Sequence, residues 1–102
     1  MKIPKKIKVG AFDYSIIVTD INKHRVNNDS YLYGYADHRE KTIYIDSGVV
    51  SGQEFEEILF HEIHECIKYV YAEEYPLDHA MITQLAVGWL QVLKDNGFLK
   101  EK

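Results

Sequence analysis

Ile58-Leu59-Phe60-His61-Glu62-Ile63-His64-Glu65-Cys66-Ile67 is the stretch around which the rest of the chain organises. Its apolar residues return at helical spacing, with Phe55 ahead of them and Val70 behind. Ser51 and Glu54 form the S-x-x-E capping-box pattern, which starts the helix there. The spacing predicts that it runs to about Tyr71. Each helical residue advances about 100° around the axis. With Phe55 at zero, Leu59, Ile63, Cys66 and Val70 fall at roughly 20° to 80° and form the buried stripe. Glu62, Glu65 and His61 follow along one rim of it, near roughly 340°, 280° and 240°. His64 falls near roughly 180°, on the polar face with Glu57 and Lys68.

Downstream, Tyr75-Pro76-Leu77-Asp78 breaks the helix and starts another, from about Asp78 to Asp95, with Asn96-Gly97 as its stop. Ile82, Ala86, Trp89 and Leu93 make its expected apolar stripe, flanked by Leu85 and Val92. Upstream the chain reads as strands. Lys6–Val9 alternates, Gly10-Ala11 offers a turn, and Tyr14 to Thr19 alternates again. Asn22 to Ser30 is loop chemistry. Tyr31 to Ala36 and Thr42 to Ile45 flank the charged turn Asp37 to Lys41 and read as a hairpin. Strands first and helices after predict an α+β fold: a small antiparallel sheet of hairpins followed by two packed helices, as a single domain over residues 1–102.

Composition narrows the function classes. Of the 102 residues 46% are apolar, which supports a packed core rather than disorder. A net charge of -4 argues against non-specific nucleic-acid binding. Lys2, Lys5, Lys6 and Lys8 read as a solvated sheet edge. No apolar run approaches the ~20 residues of a membrane span. Cys66 is the single cysteine, so no internal disulfide forms, and the expected setting is the reducing cytoplasm.

The rim residues carry the candidate chemistry. His61 and Glu65 point the same way one turn apart, as the first and last positions of H-E-x-x-H do when they hold zinc. Here the last position is glutamate, which is also a zinc ligand. His79, near the inward edge of the second helix, is the expected third ligand. His61, Glu65 and His79 would then match a two-histidine, one-carboxylate zinc site with a position left for water. Glu62 stands where a general base stands in such sites. His64 reads as an exposed non-ligand, Cys66 as a small buried thiol, and His24 and His38 as solvated loop residues. Tyr31, Tyr33, Tyr35 and Tyr44 cluster in the hairpin, and none is singled out as catalytic.

His61-Glu62-Ile63-His64-Glu65, followed by Leu77-Asp78-His79, resembles the zincin-type metallopeptidase-like proteins carried by phages and prophages. Gly34 to Asp46 looks like the hairpin that precedes their motif helix, so the resemblance covers Tyr33 to Gly97. It implies a zincin-like fold, one Zn2+ ion and hydrolysis of peptide bonds, in the cytoplasm of the host cell if phage-encoded. The metal would activate its water and Glu62 would take the proton. Glu65 departs from the usual histidine. The rival function is a non-catalytic phage or host protein-interaction module on the same scaffold, with or without a structural metal. Either way the expected partner is a peptide or protein, with no nucleic acid and no membrane.

Overall fold

A computed structural model describes residues 4–22, 32–49, 52–74 and 79–98. The alternating segments become four strands: β1 (Lys6–Val9), β2 (Phe12–Thr19), β3 (Gly34–Asp37) and β4 (Thr42–Asp46). α1 (Gly52–Ile67) ends in a π-helical turn over Lys68–Ala72, and α2 (His79–Asp95) follows. Ser51, half of the capping box, and His24 and Tyr31 lie outside the described residues.

Two tight turns join the antiparallel pairs. Val9 pairs with Phe12 across Gly10-Ala11, and Gly10 takes φ 61°, a conformation that glycine enters without steric cost. The β3–β4 turn is tied by Asp37, whose carboxylate accepts from the backbone N–H of Arg39 at 3.0 Å and of Glu40 at 2.9 Å.

The sheet is mixed, which corrects the antiparallel expectation. Its order is β1-β2-β4-β3, and β2 runs parallel to β4 from Ser15↔Thr42 to Thr19↔Asp46. A hairpin turn dictates that β3 pairs with β4. It does not dictate which of the two adds to β2, or in which direction. β4 is the one inserted, and its central place explains why Thr42, Ile43, Ile45 and Asp46 are all buried without alternation. The Asp46 carboxylate is satisfied there by donors from Ile21 N at 3.2 Å, Asn22 Nδ2 at 3.3 Å and Gly48 N at 3.1 Å.

Ile7, Val9, Tyr14, Ile43 and Ile45 of the sheet meet Phe55, Leu59, Ile63, Cys66 and Ile67 of α1 and Val92 of α2 in one core. α2 buries Met81, Gly88 and Val92, with Leu85 packed against the core. The expected stripe is therefore rotated. Ile82 is 62% exposed and Ala86 is exposed, while Trp89 and Leu93 are half-buried. The reason is Gly88. A Cβ there would stand 2.5 Å from Ile67 Cγ2 and 2.8 Å from Tyr71 Cδ2, so α2 meets α1 and the π turn through the face that carries no side chain at the crossing. The helix ends as expected: Gly97 has φ 76°, Phe98 N donates to Leu93 O at 2.9 Å, and Gly97 N to Lys94 O at 3.4 Å, a Schellman stop.

The two sheet edges differ. α2 covers β1: Asn96 Oδ1 accepts from Lys8 N at 2.8 Å, Asn96 Nδ2 and Gln91 Nε2 both donate to Lys8 O at 3.0 Å, and Gly10 N donates to Gln91 Oε1 at 2.8 Å. Lys6 and Lys8 remain exposed on that strand, as expected of edge lysines. β3 is the opposite edge, and no strand among the described residues pairs with its outer side. No described helix is long and apolar enough to cross a membrane.

Candidate functional site

Beneath the β3 edge lies a cavity of about 370 Å³, lined by Leu32, Tyr33 and Gly34 on one side and Glu57, Ile58, His61 and Glu62 of α1 on the other. Two residues build it from the strand side. The Asn22 side chain pairs with the backbone of Leu32 in both directions, Nδ2 donating to the carbonyl at 2.9 Å and Oδ1 accepting from the N–H at 3.0 Å. That clamp holds the segment leading into β3. Gly34 then lets α1 come close. A Cβ there would stand 2.9 Å from Ile58 Cγ2, 3.1 Å from the Tyr44 carbonyl oxygen and 3.5 Å from Glu62 Cγ.

The backbone of β3 divides by register. Asp46 N donates to Tyr33 O at 2.9 Å, and the pairs Tyr35↔Tyr44 and Asp37↔Thr42 share that parity. In an antiparallel ladder the intervening residues turn their N–H and C=O the other way. Gly34 and Ala36 therefore present backbone donors and acceptors along the outer edge, above the cavity.

Glu62 is 7% exposed, and no described residue hydrogen-bonds to its carboxyl. Burial raises its pKa above the ordinary carboxylate value; the neighbouring His61 opposes that shift and Glu65 adds to it. The rim position expected for Glu62 and His61 thus becomes one wall of a groove.

The metal expectation is overturned. Among the described residues no group of three or more His, Cys, Asp or Glu side chains could hold a metal ion. His61, Glu65 and His79 do not converge, and helix geometry shows why. α2 packs on the α1 face that carries Phe60, His64, Ile67 and Tyr71. Trp89 Nε1 donates to His64 Nδ1 at 3.0 Å, the Phe60 and Trp89 rings lie 6.0 Å apart, and Gly88 faces Ile67 and Tyr71. That face is roughly 100° around the axis from His61 and Glu65. His79 stands about ten residues before Trp89, roughly 15 Å further along α2 and away from His61. It is exposed at the helix start.

A second cluster went unread in the sequence. His38, expected to be solvated, is half-buried in the β3–β4 turn, with its ring stacked on Tyr69 at 4.1 Å. Its Nδ1 is 3.1 Å from the hydroxyl of the fully buried Tyr14, which shares the core with the buried Cys66 thiol. Lys41 hydrogen-bonds through Nζ to the His38 carbonyl and lies over the Phe12 ring at 4.7 Å. Burial pushes the Cys66 thiol up to about 12, so at neutral pH it is a packed, protonated thiol and not a nucleophile. The signal available in advance was the alternation of β2, which turns Tyr14 inward with Ile16.

Burial, then Lys41, lowers the His38 pKa; Glu65, Glu73 and Asp37 pull the other way. The folded state therefore binds its proton less readily than the unfolded chain. The stabilisation is complete above the unfolded value near 6.5 and is lost as pH falls toward and through the lowered folded value. Urea midpoints at pH 7.5 and pH 5 should show parent stability falling on acidification by more than that of His38→Phe. Equal falls in both would place His38 outside the titration.

No protein-family model, no curated protein and no solved structure matches this chain. The comparisons lend the zincin resemblance no support.

Proposed function

We propose that this domain is an interaction module, of the scaffold its motif helix resembles, that takes an extended peptide or protein segment along the open edge of β3 without a metal. The observation that carries the reading is the contrast between the sheet edges. α2 spends Gln91 and Asn96 on the backbone of β1, whereas Gly34 and Ala36 leave theirs directed outward over a cavity. An added strand would gain main-chain hydrogen bonds from the edge and side-chain specificity from the groove. The buried free thiol of Cys66 fits a reducing compartment such as the cytoplasm. Hydrolysis by a metal-bound water has no ion site to rest on among the described residues and is not part of the proposal.

Ala36→Pro tests it. Proline removes an outward N–H while leaving the β3–β4 ladder its donors, a substitution that edge strands accept. Amide NMR of the parent with a library of extended peptides should move the resonances of Gly34, Ala36 and the α1 groove. Ala36→Pro should keep the fold and weaken binding by about tenfold or more, the value of one well-made hydrogen bond and the steric block together. Peptide shifts confined to α2, or undiminished by the proline, would refute the edge as the docking site.

A further inference from the structure

The groove under β3 contains a buried carboxyl to which no described residue donates a hydrogen bond, with His61 as its charged neighbour. Glu62 is more than nine-tenths buried, lines the cavity, and receives no hydrogen bond from a described residue. A buried carboxyl left without hydrogen-bond donors is penalised in its ionised form, which is why burial raises its pKa. Glu57 lines the same cavity and adds a second acidic group at its mouth. Leu32, Tyr33 and Ile58 give the rest of the wall an apolar character, and His61 is the one basic group lining it. Such a cavity, with apolar walls and a buried carboxyl among its lining residues, complements a long side chain with a methylene stem and a cationic head.

Resting on the edge reading above, we propose that the groove is a receptor for a lysine or arginine side chain of the docked segment, with Glu62 as its counter-ion. Register directs that side chain. Alternate residues of an added strand point to opposite faces of the sheet. Gly34 presents no side chain on the face toward α1 and packs directly against Ile58 there, so a docked residue on that face would turn its side chain into the adjoining cavity that Ile58 and Glu62 line. The ammonium or guanidinium would donate to the Glu62 carboxylate, and Glu57 would face the same charge from the rim. The net charge of -4 on the chain favours the approach of a cationic partner.

The experiment separates this inference from the edge reading by using probes without a backbone. Butylammonium and butylguanidinium, with 1-pentanol as the uncharged control, are titrated into the labelled full chain. The two cations should move the amides of Gly34, Ile58 and Glu62, and pentanol should not. Capped strand peptides with lysine, arginine or norleucine at the centre follow. The basic peptides should bind at least about tenfold tighter than the norleucine peptide, as a charge-assisted hydrogen bond predicts. Glu62→Gln should erase that preference with the fold intact, and Glu62→Met serves if the glutamine variant does not fold. Equal shifts from pentanol, or a preference that survives both variants, would overturn the receptor. Equal binding of all three peptides removes the receptor and leaves the edge reading standing. Cation shifts with no peptide binding leave the receptor standing and remove the edge.

Discussion

Leu59→Ala should cost ~2–5 kcal/mol, the range for truncating a fully buried leucine. Leu59 is 0% exposed, in one core with Ile43 and Ile45 of β4 and Ile63 of its own helix. The lost methyl groups leave a void that these neighbours close only in part, because β-branched side chains hold one rotamer. For a domain of about 100 residues each kcal/mol moves the melting temperature by about 4–8 °C, so the variant should melt far below the parent. Leu93→Ala, at a half-buried position on α2, should lose less. Calorimetry of the two variants decides the matter: equal losses would mean that Leu59 is not the centre of the core.

Gly88→Val should also destabilise, by roughly 1–3 kcal/mol, as overpacking at a close crossing does. Away from a crossing, replacing a mid-helix glycine by alanine stabilises by about 1 kcal/mol. Here the added atom would meet Ile67 Cγ2 at 2.5 Å and the Tyr71 ring at 2.8 Å. Neither neighbour yields easily. Ile67 is fully buried, and the Tyr71 hydroxyl donates to Gln91 Oε1 at 3.1 Å. α2 would have to lift, and with it the Gln91 and Asn96 bonds to β1. Denaturant unfolding of Gly88→Ala and Gly88→Val provides the check. A gain in stability from either would show that the helices stand further apart than the crossing requires.

How much of this was legible in advance differs by element. The α1 stripe of Phe55, Leu59, Ile63 and Cys66 is buried as its spacing implies. Val70 falls out of line, only partly buried, because the π turn over Lys68–Ala72 changes the rotation per residue and brings Ala72 inward instead. On α2 the apolar pattern misled. The helix carries apolar residues on most of its circumference, and its packing face is chosen by a glycine, which adds nothing to a hydrophobic stripe. The parallel β2–β4 pairing was hidden for a related reason: strand alternation tells which side chains face inward, not which strand is the neighbour.

The candidate site divides the same way. Glu62 and His61 lie on one rim of α1, as the wheel implies, and both line the groove. The third metal ligand failed because one helix wheel carries no information about where a second helix packs. α2 takes the side of Phe60 and His64, and His79 is left at its far end. Asn22, Gly34 and Asp46 shape the groove through pairs formed only once distant segments meet.

Among the described residues, the α2 end of the chain bonds to the backbone of β1 while no strand pairs with the outer side of β3, so of the two described sheet edges β3 is the one with a free ladder. Were two copies of the chain to meet edge to edge through the described strands, the pairing would be β3 against β3. That contact is isologous: it is related by a two-fold axis and uses up both open edges at once. Growth would stop at a closed dimer, whereas a sheet bare on both sides could add copies without end and form a fibre. Gln91 and Asn96 occupy the Lys8 and Gly10 backbone groups that growth from the β1 side would need.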